Sequence, residues 1–368
     1  MNPSLFHVAI VGAGPAGASL VPLLSKAGTE VLLFHSPEAT EKRCGGGIPP
    51  RTFDEFPWLV ELPSPFKEIR LITLVSPDGA SCDLELTRPM RIVARSCFDE
   101  GLRQCARRSG AHVLNERVRS LERDGRGWVI RTDTSEHRAG FLVGADGAAS
   151  LVRRMLSDRL PSSSLSLCAG YYFTPPDEER ITVGFLKKRA AYAWIFPRPD
   201  LASAGIVAPF AGSDRHTLLD ELRSWLERSF PGFMFDYSRP YSALVPTYTK
   251  RGGPVCGDGW ALVGDAAGIA EPVTREGIYF SLKSAELLAS AFLNGRPEDY
   301  GRLLTTFLAK RHRAALFLRR PVLTPLFTER AVRLIRKSAF AKRAMEQFFS
   351  GSLSYGILSR KMLASLFI

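Results

Sequence analysis

Three short stretches carry residue types able to grip a phosphorylated, hydroxyl-rich cofactor, and each follows an apolar run. The first is Gly12-x-Gly14-x-x-Gly17, with Pro15 and Ala16 inside it. At this spacing Gly12 permits a tight turn, Gly14 lets the backbone approach a pyrophosphate, and Gly17 lets the next helix pack close to the strand. The helix then turns its dipole and its first N–H groups toward the phosphates. The second stretch is Gly144-Ala145-Asp146-Gly147-x-x-Ser150-x-x-Arg153. The third is Gly264-Asp265-Ala266-Ala267-Gly268, followed by Glu271-Pro272-Val273-Thr274-Arg275-Glu276-Gly277-Ile278. Carboxylates such as Asp146 and Asp265, set between a strand and small residues, can accept hydrogen bonds from ribityl or ribose hydroxyls. A helix beginning near Glu276 would aim its N-terminus at the pyrimidine edge of a flavin, where negative charge builds up on reduction. Either aspartate turn alone would be an ordinary strand corner. All three, in this order, point to FAD.

The elements that must hold these stretches are legible around them. Leu5–Val11 reads as a strand, an apolar-periodic helix runs to about Lys26, and Glu30–His35 is a second strand, so the chain opens on a βαβ unit. An acidic residue normally ends that second strand and holds ribose hydroxyls; here His35 stands there, as a hydroxyl partner or a plain loop residue, with Glu38 close by. Residues 66–95 alternate as strands, Phe98–Gly110 is helical, and 111–143 form a meander turning at Asp124-Gly125-Arg126-Gly127. The expected class is α/β. A Rossmann-like FAD-binding domain (1–165, with strands of the substrate sheet near 66–95, completed by 251–295) carries an inserted antiparallel-sheet substrate domain (166–250). A basic helical C-terminal region (296–368) follows.

Composition narrows the class further. The 368 residues are 45% hydrophobic and 23% charged, an ordinary globular balance. No run approaches the roughly 18 apolar residues of a spanning helix. The six cysteines show no C-x-x-C spacing, which argues against zinc or iron–sulfur sites and for reduced thiols in a cytoplasmic protein. From Gly301 onward there are 14 Lys and Arg against 2 Glu, so the tail accounts for the whole net charge of +12. Its charges interleave with apolar residues, as in Ala331–Lys337, and Phe348-Phe349 and Leu363–Ile368 add apolar surface. This suits peripheral contact with an anionic membrane, or a charged helical cap on the domain. No nucleic-acid motif accompanies the charge, so no nucleic-acid partner is expected.

Taken together, the motif order resembles the para-hydroxybenzoate-hydroxylase-type flavoproteins, and within them the geranylgeranyl reductase family. Arg43-Cys44-Gly45-Gly46-Gly47 resembles that family's Cys-Gly-Gly loop beside the flavin. Tyr192-Ala193-Trp194-Ile195-Phe196-Pro197 resembles its Tyr-x-Trp-x-Phe-Pro substrate-pocket motif. Arg91–Asp99 resembles the family's strand and helix start, which implies that Arg95 approaches the flavin. The chain departs from the pattern at Arg189, where a proline is common, and at Arg275, where glycine is usual. The resemblance covers residues 5 to about 295.

It implies reduction of carbon–carbon double bonds in an isoprenoid chain, on a prenyl lipid, diphosphate or quinone. FAD is first reduced by NADPH or another electron donor, N5 then delivers hydride to one alkene carbon, and the other carbon takes a proton from Cys44, another pocket group or water. Cys44 could equally be a small residue that fits the flavin loop. Tyr192, Trp194 and Phe196 share one strand face, which is either a flat wall for a prenyl chain or an ordinary sheet core. The same fold and motifs would serve a flavin monooxygenase acting on an aromatic or quinone substrate, a relay of electrons to a membrane quinone, or a flavin-binding scaffold without catalysis.

Overall fold

The computed structural model describes residues 5–38, 41–175, 177, 179–249, 252–319, 321–353 and 356–358; the apolar segment Leu363–Ile368 lies outside them. In chain order the first elements are β1 (Leu5–Val11), α1 (Pro15–Ser25), β2 (Val31–Phe34), β3 (Gly47–Ile48), α2 (Pro50–Glu55), β4 (Phe66–Val75) and β5 (Ser81–Val93). There follow α3 (Arg95–Arg108), β6 (His112–Leu114), β7 (Val118–Arg123), β8 (Trp128–Thr132), β9 (Glu136–Gly144) and α4 (Leu151–Leu156). Next come β10 (Leu165–Phe173), β11 (Arg180–Phe185), β12 (Tyr192–Pro197), β13 (Ala202–Pro209), α5 (Arg215–Ser229) and β14 (Pro240–Pro246). The last are β15 (Cys256–Gly257), β16 (Trp260–Leu262), α6 (Ile278–Leu293), α7 (Tyr300–Leu318), α8 (Pro325–Lys337) and α9 (Ala339–Phe349). Two units result: residues 1–42, 96–164 and 245–312 form the first, and residues 43–95, 165–244 and 313–368 the second.

The first unit is built on a sheet of order β15-β16-β9-β1-β2-β6. Its inner pairs β1–β2, β1–β9, β9–β16 and β2–β6 are parallel. The β7–β8 hairpin adds antiparallel to β9. Val8–Val11 of β1 and Val31–Phe34 of β2 are buried throughout, as strands covered on both faces must be. From β1 the chain builds outward first through β2 and β6, then on the other side through β9 and β16. The order therefore reverses between β1 and β9. Ligands of such sheets lie beyond the carboxyl ends of the strands at that reversal.

The second unit has a sheet of order β14-β10-β13-β12-β11-β4-β5-β3. The pairs β10–β13, β12–β13, β11–β12, β4–β5 and β3–β5 are antiparallel. The pair β4–β11 is parallel, so the expected antiparallel sheet contains one parallel seam where two separated chain segments meet. Each face has its own core. Ala193 and Ile195 of β12 pack with Tyr171, Phe173 and Ala204 under Leu218, Leu222 and Trp225 of α5. Ile72, Leu84 and Ile92 of the β4–β5 ribbon pack under Val332 and Ile335 of α8 and Ala341 of α9. Among the described residues no helix is long and apolar enough to cross a membrane.

Candidate functional site

In the first unit the three glycine and aspartate stretches leave the carboxyl ends of adjacent strands. Val11 and Leu262 both lie opposite Gly144 in the sheet. The ladder continues past the strand ends: Gly12 N–H donates to the Phe34 carbonyl (3.0 Å), Ala145 N–H to Val11 (2.8 Å) and Val263 N–H to Gly144 (2.9 Å). Gly12 is left-handed, at φ 106°, and a Cβ there would strike the Ala145 carbonyl. A Cβ on Gly17 would run into the Gly12 carbonyl and meet the Ala145 methyl at 3.0 Å. Around Gly14 there is open space, and no side chain caps α1 at that residue. The site thus has tight packing at the outer glycines and room at the middle one, which is what a pyrophosphate seated on the helix N-terminus requires.

Ala16 completes this packing. A Cβ on Gly264 would lie 2.9 Å from the Ala16 methyl and 3.0 Å from Ser281 Oγ of α6, so only small residues fit where α1, α6 and the β16 turn meet. Gly264 N–H donates to Ser284 Oγ (3.0 Å). Asp265 follows in the 3-10 turn Gly264–Ala267, and its Oδ1 would sit 3.4 Å from a Cβ on Gly277, the residue just before α6, where no side chain caps the helix. Asp265 therefore stands at the α6 N-terminus, beside Ile278. Ahead of that terminus, Glu271 is buried and its Oε2 accepts from Val273 N–H (2.7 Å), Thr274 N–H and Thr274 Oγ1. This carboxylate ties down the turn holding Pro272, which is buried. Burial pushes the Glu271 carboxyl above its ordinary range. Arg275, in the same turn, is the one non-glycine residue with positive φ (59°) among the described residues, and its guanidinium donates to the Val273 carbonyl.

Three side chains act here in ways the sequence reading did not assign. Asp146 accepts from Ser150 Oγ and from the Leu151 (2.6 Å) and Val152 (3.3 Å) N–H groups, so its carboxylate caps α4. Arg153 is buried and braces that turn against the third stretch. Its guanidinium donates to the carbonyls of Ala266 (2.6 Å), Ala267 (3.1 Å), Asp158 (2.9 Å) and Gly252 (2.7 Å). Lys42 places its ammonium 3.1 Å from Asp265 Oδ2 and 3.6 Å from where a Cβ on Gly147 would be, between the two aspartate turns. The Ser150 and Arg153 spacings were visible in the sequence. Lys42 carried no signal beyond its place before the Cys44 loop.

His35 follows β2, with its N–H on the Leu114 carbonyl (2.8 Å). Glu38 is drawn off to Arg117 (2.5 Å) at an exposed position. Partial burial, and then the charges of Arg103 and Arg107 on α3, hold the His35 imidazole below its ordinary pKa of 6.5. A depressed histidine pKa means that the unfolded chain takes the proton more readily. His35 thus favours the fold above about pH 6.5, and that contribution is lost as pH falls through the lower folded-state value. If His35 meets the ribose, His35→Glu should tighten FAD binding about five-fold, because a carboxylate is the stronger acceptor for two hydroxyls. Flavin fluorescence titration measures this, and unchanged affinity would remove His35 from the ribose.

In the second unit the Cys44 loop and the aromatic strand come together. A Cβ on Gly45 would lie 2.9 Å from the Phe196 ring and one on Gly47 2.6 Å from it. Gly46 is left-handed (φ 81°) and its carbonyl accepts from Val93 N–H (3.0 Å), which fixes the loop on β5. Gly46 N–H points back to Cys44 Sγ (3.3 Å). Cys44 is half-buried and Arg43 exposed, while Arg95 is buried at the start of α3. Tyr192, Trp194 and Phe196 share the β12 face turned away from α5; Pro197 falls on the other face with Ala193 and Ile195. On the aromatic face Trp194 covers Gly205, Tyr241 covers Gly170, and Ser203 Oγ bonds the Tyr241 hydroxyl (3.0 Å). Burial pushes the Cys168 thiol and the Tyr241 hydroxyl well above their usual ranges, so both stay protonated.

The open space at Gly14, the two uncapped helix N-termini and Asp265 between small residues fit FAD. A family model described as FAD dependent oxidoreductase matches residues 94–289, and one described as FAD binding domain matches residues 6–172. The chain belongs to the FAD-dependent oxidoreductases, and it is an enzyme of that class. Among curated proteins it is 29% identical to the digeranylgeranylglycerophospholipid reductase of Methanosphaerula palustris, over 77% of this chain and 75% of that one. It is 28% identical to the geranylgeranyl diphosphate reductase of Synechocystis (78% and 75% covered) and 28% identical to the menaquinone reductase of Mycolicibacterium smegmatis (83% and 80%). A geranylgeranyl bacteriochlorophyll reductase-like protein of Thermoplasma acidophilum has the same fold, with a TM-score of 0.79 at 19% identity over 99% of this chain and 96% of its own. The resemblance to the geranylgeranyl reductase family drawn from the motifs is thus carried by named relatives.

Proposed function

We propose that the protein reduces carbon–carbon double bonds of a prenyl chain borne on a lipid, a diphosphate or a quinone. The observation that carries this reading is the seating of the Cys44–Gly47 loop on Phe196, which brings the stretch holding the half-buried Cys44 onto the aromatic face of β12. The names of the relatives support the substrate class. In this reading the first unit holds FAD through Gly12–Gly17, Lys42, the Asp146–Gly147 turn, Asp265 and the start of α6. In the second unit Arg43–Gly46 and Arg95 are the further flavin candidates, and Tyr192, Trp194 and Phe196 the candidate substrate wall, with Pro197 on the opposite face of β12. FAD, reduced by NADPH or another donor, supplies a hydride when bound.

An isolated alkene is not polarised, so the chain's own residues must fix the bond in place and exclude water. The aromatic face of Tyr192, Trp194 and Phe196 supplies an apolar surface for this, with the Tyr192 and Trp194 rings tilted 50° to each other. Cys44, on the loop seated against Phe196, delivers the proton to the second carbon. The basic carboxy-terminal region meets an anionic membrane, where such substrates reside.

FAD-loaded protein, dithionite and geranylgeranyl substrates should yield products heavier by two hydrogens per step. No product with prenyl diphosphates, lipids or quinones, or oxygen uptake matched by an oxygenated product, overturns the reading. Cys44→Ser should keep its flavin spectrum and lose about 100-fold or more in turnover, the usual size of a general-acid contribution. Full activity would rule out the proton-donor role.

A further inference from the structure

The second unit carries three exposed large apolar side chains within eleven residues of chain, at the corner where α7 gives way to α8. Phe317, one residue from the end of α7, is 83% exposed, and Leu326 and Phe327, in the first turn of α8, are 64% and 46% exposed. Single exposed apolar residues are ordinary, but three large ones in so short a stretch are a mark of an interaction surface.

Basic charge surrounds this corner. Arg313 lies one helical turn before Phe317, on the same side of α7. Along α8 the spacing of Leu326, Arg330, Arg333 and Lys337 puts all four on one face, opposite the buried Thr328, Val332 and Ile335. The stripe is about 16 Å long at 1.5 Å per residue. Arg333 is partly neutralised by Glu329 (2.6 Å) and Asp78 (3.9 Å). Arg330, Arg336 and Lys337 have no acidic partner among the described residues. Arg333, Arg336 and Lys337 also line a shallow groove of about 510 Å³ with Ala80 of the β4–β5 turn. The cations of this open groove suit an anion.

We propose that this corner and the outward stripe of α8 dock on an anionic lipid bilayer. Phe317, Leu326 and Phe327 enter the headgroup layer, Arg330 and Lys337 lie along its surface, and the Arg333–Arg336–Lys337 groove takes a lipid phosphate. The face rests on the reading of the basic region as a membrane contact and gives it a place in the fold. The inner side of α8 is used against the sheet, so lipid contact falls to its outward basic stripe and to the apolar side chains at its first turn.

The test is co-sedimentation of the FAD-loaded full chain with vesicles of phosphatidylcholine alone and of phosphatidylcholine mixed with phosphatidylglycerol. The wild type should bind the mixed vesicles only, and less as salt rises. Arg330→Glu with Lys337→Glu should weaken binding at least about 25-fold, about five-fold for each cation removed. Phe317→Ser with Leu326→Ser and Phe327→Ser should weaken it about ten-fold or more. Both variants should keep their flavin spectrum, melting temperature and turnover of a dispersed prenyl substrate. Wild-type vesicle binding that both variants retain overturns the assigned face and leaves the membrane reading standing; no wild-type binding overturns both. Self-association abolished by the serine variant, with vesicle binding intact, makes the corner a contact between copies of this chain and overturns the proposal. None of these outcomes depends on the alkene reaction, which is scored separately by product mass.

Discussion

Gly17→Ala is expected to come out of purification colourless. The added methyl would overlap the Gly12 carbonyl and press on the Ala145 side chain, and both of these belong to backbone that cannot rotate away. Relief requires α1 to move off the sheet. That movement separates the helix N-terminus from the turn that positions Gly12 and Gly14, and it opens the contact between Ala16 and Gly264. Overpacking of this sort costs about 1–3 kcal/mol in stability. The cost to cofactor binding is larger, because the phosphate seat depends on a spacing fixed to a few tenths of an ångström. The ratio of flavin to protein absorbance should fall at least ten-fold, and the melting temperature should drop by roughly 2–10 °C. The control is Gly14→Ala, which meets nothing in the fold itself: it should keep the wild-type melting temperature without cofactor and still bind FAD poorly. A Gly17→Ala protein with full flavin content would show that α1 does not carry the pyrophosphate.

Arg153→Ala should be the most damaging substitution at a position with no part in the chemistry. It removes four hydrogen bonds to carbonyls of Ala266, Ala267, Asp158 and Gly252 and leaves the Ala266 and Ala267 acceptors buried. Losing charge-assisted bonds of this kind costs about 3 kcal/mol or more. For a unit of this size that is a fall in melting temperature of roughly 10 °C. The flavin should be lost as well, since the turn carrying Asp265 then has no brace behind it. Arg153→Lys retains the charge but cannot span four acceptors with one ammonium, so it should recover only part of the stability. Calorimetry and flavin content settle both points. Equal stability of wild type and Arg153→Ala would mean that the turn is held by the sheet alone.

The glycine and aspartate stretches could be read from the sequence because each demands a residue type that few other contexts require. Gly12 needs a left-handed backbone and Gly17 the absence of a side chain. Arg153 stood in the motif spacing, but three of its four main-chain carbonyl partners lie 99 to 114 residues away in sequence, and carbonyls leave no trace in residue type. Asp146 was read as a hydroxyl acceptor, whereas Ser150 four residues on and the following amides take its oxygens; the serine was the available clue to a cap. The β4–β5 ribbon read as strands by alternation, yet its parallel seam with β11 joins segments about 100 residues apart and has no local turn to announce it. In α8 the charges were evident, but not which side faced inward; only the packing of Val332 and Ile335 on the sheet separates the buried side from the stripe.

One feature of the second unit bears on how the chain is made. The apolar side of the β4–β5 ribbon is synthesised well before the helices that cover it, α8 and α9, which come later in the chain. Until then Ile72, Leu84 and Ile92 have no lid, and a nascent chain in that condition is prone to stick to others. Premature termination before Pro325 would therefore produce aggregates and not a smaller working enzyme, even with the nucleotide-binding half complete.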